Sequence, residues 1–334
     1  MTRLVPGRLT FRPLALEDAV DLYALYRRCR RADHEADEIT FDEFVYSTFE
    51  LPRSSARLDS VGAVDEDGRL VGYGWAFTRE SATRSARAWL TGGVDPEYRR
   101  QGIGTGILRR GVARAVELLA GSPPNVPHHV DAEAGPAHLD RIALFEQEGF
   151  ESIRTFMTML RPLGTAEPAP EPGPAPERDA AGEAVRIVDW RDDLDEATRT
   201  AHNEAFLDHW GSEPISPDRW RYYGPAAPGF RASLSPVAVT PEGNIAGYVM
   251  CSVPPGMQAE RRTAWIGTVG VCREFRRLGI GRALVARALR AMEAAGFEAV
   301  GLDVDADNPT GAVRLYERLG FRPHRRQVIY SKAV

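Results

Sequence analysis

Two stretches of the chain carry residue types and spacing suited to holding a phosphate. Arg276-Arg277-Leu278-Gly279-Ile280-Gly281-Arg282 follows an apolar run ending at Val271 and leads into a helical apolar pattern. A second stretch with Arg100-Gln101-Gly102-Ile103-Gly104-Thr105 follows Val94 in the same way. A strand that turns directly into a helix leaves backbone N–H groups unpaired at the helix N-terminus. Glycines let an anion approach that backbone, and the helix dipole favours negative charge there. The chemistry this suits is the grip of a pyrophosphate. The pattern lacks the third glycine of a dinucleotide fingerprint and the Gly-Lys-Ser/Thr of a P-loop. One copy alone reads equally well as a tight turn with surface arginines. Two copies in matching contexts favour a ligand.

Other residues could move protons or shape a pocket. His209 has a side chain that titrates near neutrality. Trp210, Trp220 and Tyr222 lie close to it in the chain and could wall an apolar acceptor pocket. Asp208-His209 has a partner in Asp33-His34, so the pair also reads as an inherited helix cap. Trp210 has no counterpart: Glu35 stands there. Asp303 and Asp305 read as strand-end carboxylates facing solvent, with a base acting through water as the alternative. The run from Asp33 to Glu38 reads as a solvated loop. His128 and His129, adjacent on a strand, point to opposite faces and suggest no metal site.

The elements that would position these residues occur twice. The two turns are 177 residues apart, and Asp65–Gly74 and Thr240–Val249 are matching strand–turn–strand segments 175 apart. Each half closes on a helix followed by Gly-Phe, at Phe150 and Phe321. The strand before the first turn, Arg87–Val94, is one residue shorter than Thr263–Val271. This is a domain duplication rather than a solenoid. Alternation of strands and helices after a hairpin meander predicts an α/β (α+β) fold, with a mixed, mostly antiparallel sheet flanked by helices in each half. In the second half, strands are expected near Arg186–Val188, Val237–Val239, Ile245–Val253, Ala264–Val271, Val300–Val304 and Gln327–Ser331. Helices are expected over Gly281–Ala295 and Ala312–Leu319. The segment 163–184 is built from Pro, Ala, Glu and Gly and reads as a solvated linker. The expected domains are therefore 1–162 and 185–334.

Composition fits a globular protein: 334 residues, 43% hydrophobic and 27% charged, with a net charge of −5. That balance recruits neither nucleic acid nor an anionic membrane. The three cysteines have no metal-like spacing and fit a reducing cytoplasm. No run approaches the length of a membrane span.

Arg-x-x-Gly-x-Gly after a strand, with Asn308 and then "LYERLGF" downstream, resembles the GNAT superfamily of acyl-CoA-dependent N-acetyltransferases. The resemblance covers nearly the whole chain as two copies, the arrangement of tandem members such as the mycothiol synthases. It implies two GNAT-like domains, acetyl-CoA as co-substrate, no metal, and a small-molecule amine as acceptor. It implies that the turn holds the CoA pyrophosphate and that Val269, Gly270 and Val271 line the pantetheine and acetyl carbonyl. The corresponding contacts of the first half are Val94, Arg100, Gln101, Gly102, Gly104 and Thr105. Asn308 falls where the family contacts CoA, and Tyr316 where the family places its general acid. The first half has Phe145 at the tyrosine position, so chemistry is expected in the second half, with the first degenerate. The strand before the turn carries a bulge in this family that opens the sheet; losing a residue there in the first copy would close the gap unless Gly92-Gly93 compensates. Two other readings stay open: a mycothiol-synthase-like enzyme acting on a cysteinyl pseudo-disaccharide, and an acyl-CoA sensor without turnover.

Overall fold

The computed structural model describes residues 9–35, 39–45, 48–49, 59–78, 84–164, 185–227, 229–253, 262–308 and 311–334. Residues 165–184 of the expected linker lie outside the described residues. The chain divides into two compact units. One comprises residues 1–154 with 327–334, the other residues 155–326.

The first unit runs β1 (Thr10–Arg12), α1 (Ala19–Ala32), α2 (Phe41–Val45), β2 (Ser60–Val64), β3 (Leu70–Thr78), β4 (Ala86–Val94), α3 (Ile103–Leu119), β5 (His128–Ala134) and α4 (Leu139–Gln147). Neighbouring strands from β1 to β4 pair antiparallel, and β4 and β5 pair in parallel. The outer side of β5 is taken by the distal part of β12 (Arg322–Ala333), with Val328 opposite Ala134 and Ala333 opposite His129. Alternation places Leu108, Ala115, Val130, Phe145 and Tyr330 in one apolar cluster between α3, α4 and the sheet.

The second unit runs β7 (Arg186–Asp189), α5 (Asp195–Ala205), α6 (Pro217–Tyr223), β8 (Pro236–Val239), β9 (Ile245–Ser252), β10 (Thr263–Val271), α7 (Ile280–Ala294), β11 (Ala299–Asp305) and α8 (Ala312–Arg318). Its strands β7 to β10 are antiparallel neighbours, and β10 and β11 are parallel. The outer side of β11 is taken by β6 (Glu151–Pro162), from Phe156 opposite Asp305 to Pro162 opposite Ala299. Helix α7 buries Ile280, Ala283, Leu284, Val285, Ala288, Leu289 and Met292, the spacing of one apolar stripe with its flanks.

Each half therefore has the mixed, mostly antiparallel sheet and covering helices read from the sequence, and every expected element of the second half is present. The units differ from the expected halves by an exchange of end strands. Residues 155–162 lie in the second unit and residues 327–334 in the first. Among the described residues no helix is long and apolar enough to cross a membrane.

Candidate active site

Both phosphate turns have the same backbone. Gly102 and Gly279 each sit at φ +82 as the helix N-cap, and Arg100 and Arg277 adopt φ of +63 and +65. Positive φ at alternate residues turns successive N–H groups toward one concavity. Ala283 N–H donates to the Gly279 carbonyl at 3.0 Å, and Gly106 N–H to that of Gly102 at 3.0 Å. The N–H groups of residues 277–282 and 100–105 have no acceptor among the described residues. Gly281 and Gly104 pack closely: a β-carbon would lie 3.4 Å from Val271 Cγ2 in one and 3.3 Å from Leu144 Cδ2 in the other. Leu278 is half-buried, Ile280 is buried, and Arg277 and Arg282 are exposed.

Arg276 has a different task from the one its position suggested. Its Nε donates to the Val271 carbonyl at 3.3 Å, Nη2 to the Ala205 carbonyl at 2.8 Å, and Nη1 pairs with Asp208 at 3.2 Å. All three nitrogens are committed to holding β10, the end of α5 and the loop after it. Arg99 repeats the design, donating to the Val94 carbonyl at 3.1 Å and gripping Asp33 through both Nη atoms. Asp33 is the C-cap of α1, but Asp208 lies beyond the cap of α5, so capping is not the shared role of the recurring Asp-His. Its aspartate anchors the arginine that supports the turn, and Arg273 and Arg276 hold the Asp208 carboxyl below the usual range.

The strands before the turns part from their parallel neighbours. Pairing of β10 with β11 ends at Ile266 opposite Leu302, and pairing of β4 with β5 ends at Leu90 opposite Ala132. Beyond those points, Gly267–Val271 and Thr91–Val94 have no ladder partner on that side among the described residues. In β10 the register to β9 shifts between Ile266 and Thr268, a bulge at Gly267, whereas β4 runs unbroken along β3. The shorter first copy has lost the bulge, as expected. Its strands still part, so of the two alternatives the gap stays open.

Tyr316 on α8 is buried at 8% exposure, edge-on to Phe321 at 5.9 Å. Burial pushes its hydroxyl up to about 12, so it holds its proton at neutral pH. The preceding Leu315 reaches the first turn of α7, its Cδ2 being 3.8 Å from a β-carbon built on Gly281. Phe145 and Phe150 repeat this pair at 5.6 Å in the first unit, without a hydroxyl on the helix residue. Asn308 forms the turn after β11, its N–H donating to the Asp305 carbonyl at 3.1 Å. Asp303 accepts from Thr158 Oγ1 at 2.6 Å and is exposed, as expected. Asp305 departs from that expectation: it is buried at 2% and accepts from the Asp307 N–H at 3.0 Å.

The residues expected on the acceptor side separate. His209 and Trp210 are half-buried on the loop beyond α5. His209 lies 5.3 Å from the Phe206 ring, and Trp210 lies 6.2 Å from that of Phe156. Tyr222 is half-buried on α6. Trp220 is a core residue at 4% exposure, against Trp190, His202 and Tyr248, rather than a pocket wall. Sequence reasoning missed the His202–Tyr248 pair. Tyr248 is fully buried, its hydroxyl is 2.5 Å from His202 Nδ1, and its ring fills the space a side chain on Gly270 would need. Burial keeps His202 neutral, lowering it to about 4. The one available signal was the repeat, where Arg27 stands at the matching position of α1.

Comparison with known proteins agrees with this geometry. Residues 19–150 and 191–321 each match the Acetyltransferase (GNAT) family. A mycothiol acetyltransferase of Salinispora arenicola is 32% identical over 325 residues, covering 95% of this chain and 94% of that protein. The crystal structure of a GCN5-related N-acetyltransferase from Sphaerobacter thermophilus superposes with a TM-score of 0.78 at 25% identity, covering 99% of this chain and 97% of that one. A tandem GNAT protein from the clavulanic acid biosynthesis pathway shares the fold, with a TM-score of 0.68 at 20% identity, covering 98% of each chain. Two N–H cradles, two pairs of parting strands and these matches have one meaning: the chain is a tandem-domain member of the GNAT family of acetyltransferases.

Proposed function

We propose that the chain transfers the acetyl group of acetyl-CoA to the primary amine of a small molecule, with the chemistry in the second unit. The observation that carries this reading is the meeting, in that unit alone, of three features. They are an N–H cradle, a bulged strand parted from its neighbour, and a buried tyrosine one residue from the side chain that packs on the cradle.

Residues 277–282 would hold the pyrophosphate through backbone N–H groups, with Arg277 and Arg282 adding charge. The acyl arm would lie along Val269, Gly270 and Val271, whose peptide groups lack a ladder partner toward β11. Asn308 would contact the same cofactor from the turn after β11. The amine nitrogen attacks the thioester carbonyl carbon, and the carbonyl π electrons move to oxygen. Backbone donors stabilise that oxyanion. Collapse re-forms the carbonyl, breaks the C–S bond and sends the electron pair to sulfur. Tyr316, held protonated by burial, gives its proton to the departing thiolate, and the amine loses one to solvent. The products are an amide and free CoA.

In the first unit Val94, Arg100, Gln101, Gly102, Gly104 and Thr105 would hold a second acetyl-CoA, and Phe145 has no proton to give. The curated relatives named mycothiol acetyltransferase favour, as acceptor, the amine of a cysteinyl pseudo-disaccharide. His209, Trp210 and Tyr222 would face it. The test is a Tyr316→Phe chain assayed with acetyl-CoA and that pseudo-disaccharide. A fall in kcat of ~10²- to 10⁴-fold at unchanged KM for acetyl-CoA is expected. Full activity in the variant would remove Tyr316 from the mechanism. Acetyl-CoA binding without transfer in the wild type would leave a sensor.

A further inference from the structure

In the first unit an unbroken series of polar contacts links the end of β4 to the end of β5. The Val94 carbonyl accepts from Arg99, whose Nη atoms hold the Asp33 carboxylate at 2.7 and 3.1 Å. Asp33 also receives Arg141 Nη2 of α4 at 3.4 Å. The Asp33 carbonyl lies 3.3 Å from His138 Nε2, and His138 Nδ1 accepts from the Gly135 N–H at 3.2 Å, one residue beyond β5. Acceptance at Nδ1 places the ring proton on Nε2, which donates to Asp33. Glu35 reinforces the link, pairing with Arg30 at 2.7 Å and lying 3.7 Å from His138 and 3.9 Å from Arg141. These side chains are between 12% and 29% exposed. Partial burial shields such pairs from salt more than a surface pair is shielded.

The contacts span the strands that part after Leu90 and Ala132, on the face covered by α1. The second unit has half of the arrangement. Asp208 engages Arg276 and Arg273, and among the described residues it has no ion pair with α8. The position matching Glu35 is Trp210, and that matching Arg141 is Ala312. Ala312 has no polar side chain to continue the link onto α8 as Arg141 does onto α4. The same anchoring aspartate is therefore clasped to the last helix in the unit with Phe145 and released from it in the unit with Tyr316.

We propose that Asp33, Glu35, His138 and Arg141 form a clasp that shuts the α1 side of the first unit to small molecules. Resting on the acetyl-transfer reading, the clasp confines the acceptor amine to the second unit while leaving the first phosphate turn, on the α3 side, exposed. It explains why Asp33 and Glu35, expected in a solvated loop, are instead held by three arginines and a histidine; residues 36–38 of that expected loop lie outside the described residues.

Cys29 reports on the clasp. Its thiol is 3% exposed and lies 3.2 Å from where a side chain on Gly93 would begin, directly behind Asp33, whose N–H donates to the Cys29 carbonyl. Iodoacetamide labelling read by peptide mass is the experiment, in the wild type and in an Arg141→Ala/His138→Ala chain. The expected result is at least a ten-fold faster reaction of Cys29 in the variant, with Cys251 and Cys272 unchanged. Equal Cys29 rates would overturn the clasp. If the double variant fails to fold by circular dichroism, Arg141→Gln, which keeps bulk and removes charge, is expected to show a several-fold rise, and no rise would overturn the proposal in the same way. A wild type that transfers no acetyl would remove the acceptor from the statement but leave the labelling result to judge the closure.

Discussion

The Tyr248 ring packs against Gly270, and its hydroxyl is fixed by His202 at 2.5 Å. The strand segment proposed to carry the acyl group therefore rests on a buried hydrogen-bonded pair. Tyr248→Phe keeps the ring and strands His202 Nδ1 without a partner. Leaving a buried polar group unsatisfied costs about 1–3 kcal/mol. Urea unfolding is expected to show that loss, and Gly270→Ala, which drives a methyl into the ring, is expected to be worse.

His202 also gives stability a pH dependence. Burial, with His209 adding to it, lowers the folded ring to about 4. In the unfolded chain the ring takes up its proton as the pH falls through about 6.5. Between those values the unfolded state binds more protons, so stability falls as the pH drops from 6.5 toward 4, by about 3 kcal/mol in all. Denaturation midpoints measured across that window are expected to decline, and the decline is expected to flatten in a His202→Phe chain.

The two cradles are equivalent in backbone, so both are expected to bind. Calorimetric titration of acetyl-CoA into the wild type is expected to give two sites. Gly281→Glu sets a carboxylate in the second cradle, against Val271 and Leu315, and is expected to leave one. One site falling to none would show that the first turn is kept as structure alone.

Much of this site was legible in the sequence because it is local. Gly279, Gly281 and their arginines specify a strand–turn–helix within a dozen residues, and repetition of that pattern exposed the duplication. Tyr316 was picked out by the resemblance to the GNAT family, which places its general acid in the last helix. What failed to show was built from residues distant in the chain. Nothing near Arg276 says that its guanidinium would be spent on Asp208 and two carbonyls. Glu35 and Arg141 are more than a hundred residues apart, and charge pairing at that range leaves no periodic trace. Strand partners were illegible for a related reason. Alternation in 151–162 and 327–333 marks both as strands, but which sheet each joins depends on tertiary packing.

That exchange carries its own prediction. Tyr330 packs on Phe145 at 5.5 Å, Ser331 Oγ donates to the buried Asp131 at 2.6 Å, and Lys332 Nζ donates to the Glu148 carbonyl at 2.7 Å. All three partners belong to the first unit. Deleting residues 327–334 is expected to uncover Phe145 and strip Asp131 of one donor. The first unit should then unfold at lower temperature. Hydrogen exchange resolved by peptide is expected to locate the loss in β5 and α4, and full protection there would show the strand to be dispensable.

The exchange also sets an order of events at the ribosome. β5 emerges about 190 residues before the strand that pairs with it. At ordinary translation speeds that interval is roughly ten to forty seconds. Throughout it, the nascent first unit presents the open edge of β5, a template for pairing with any other chain. Exchanged strands thus leave completion of the first unit's sheet to the last residues synthesised.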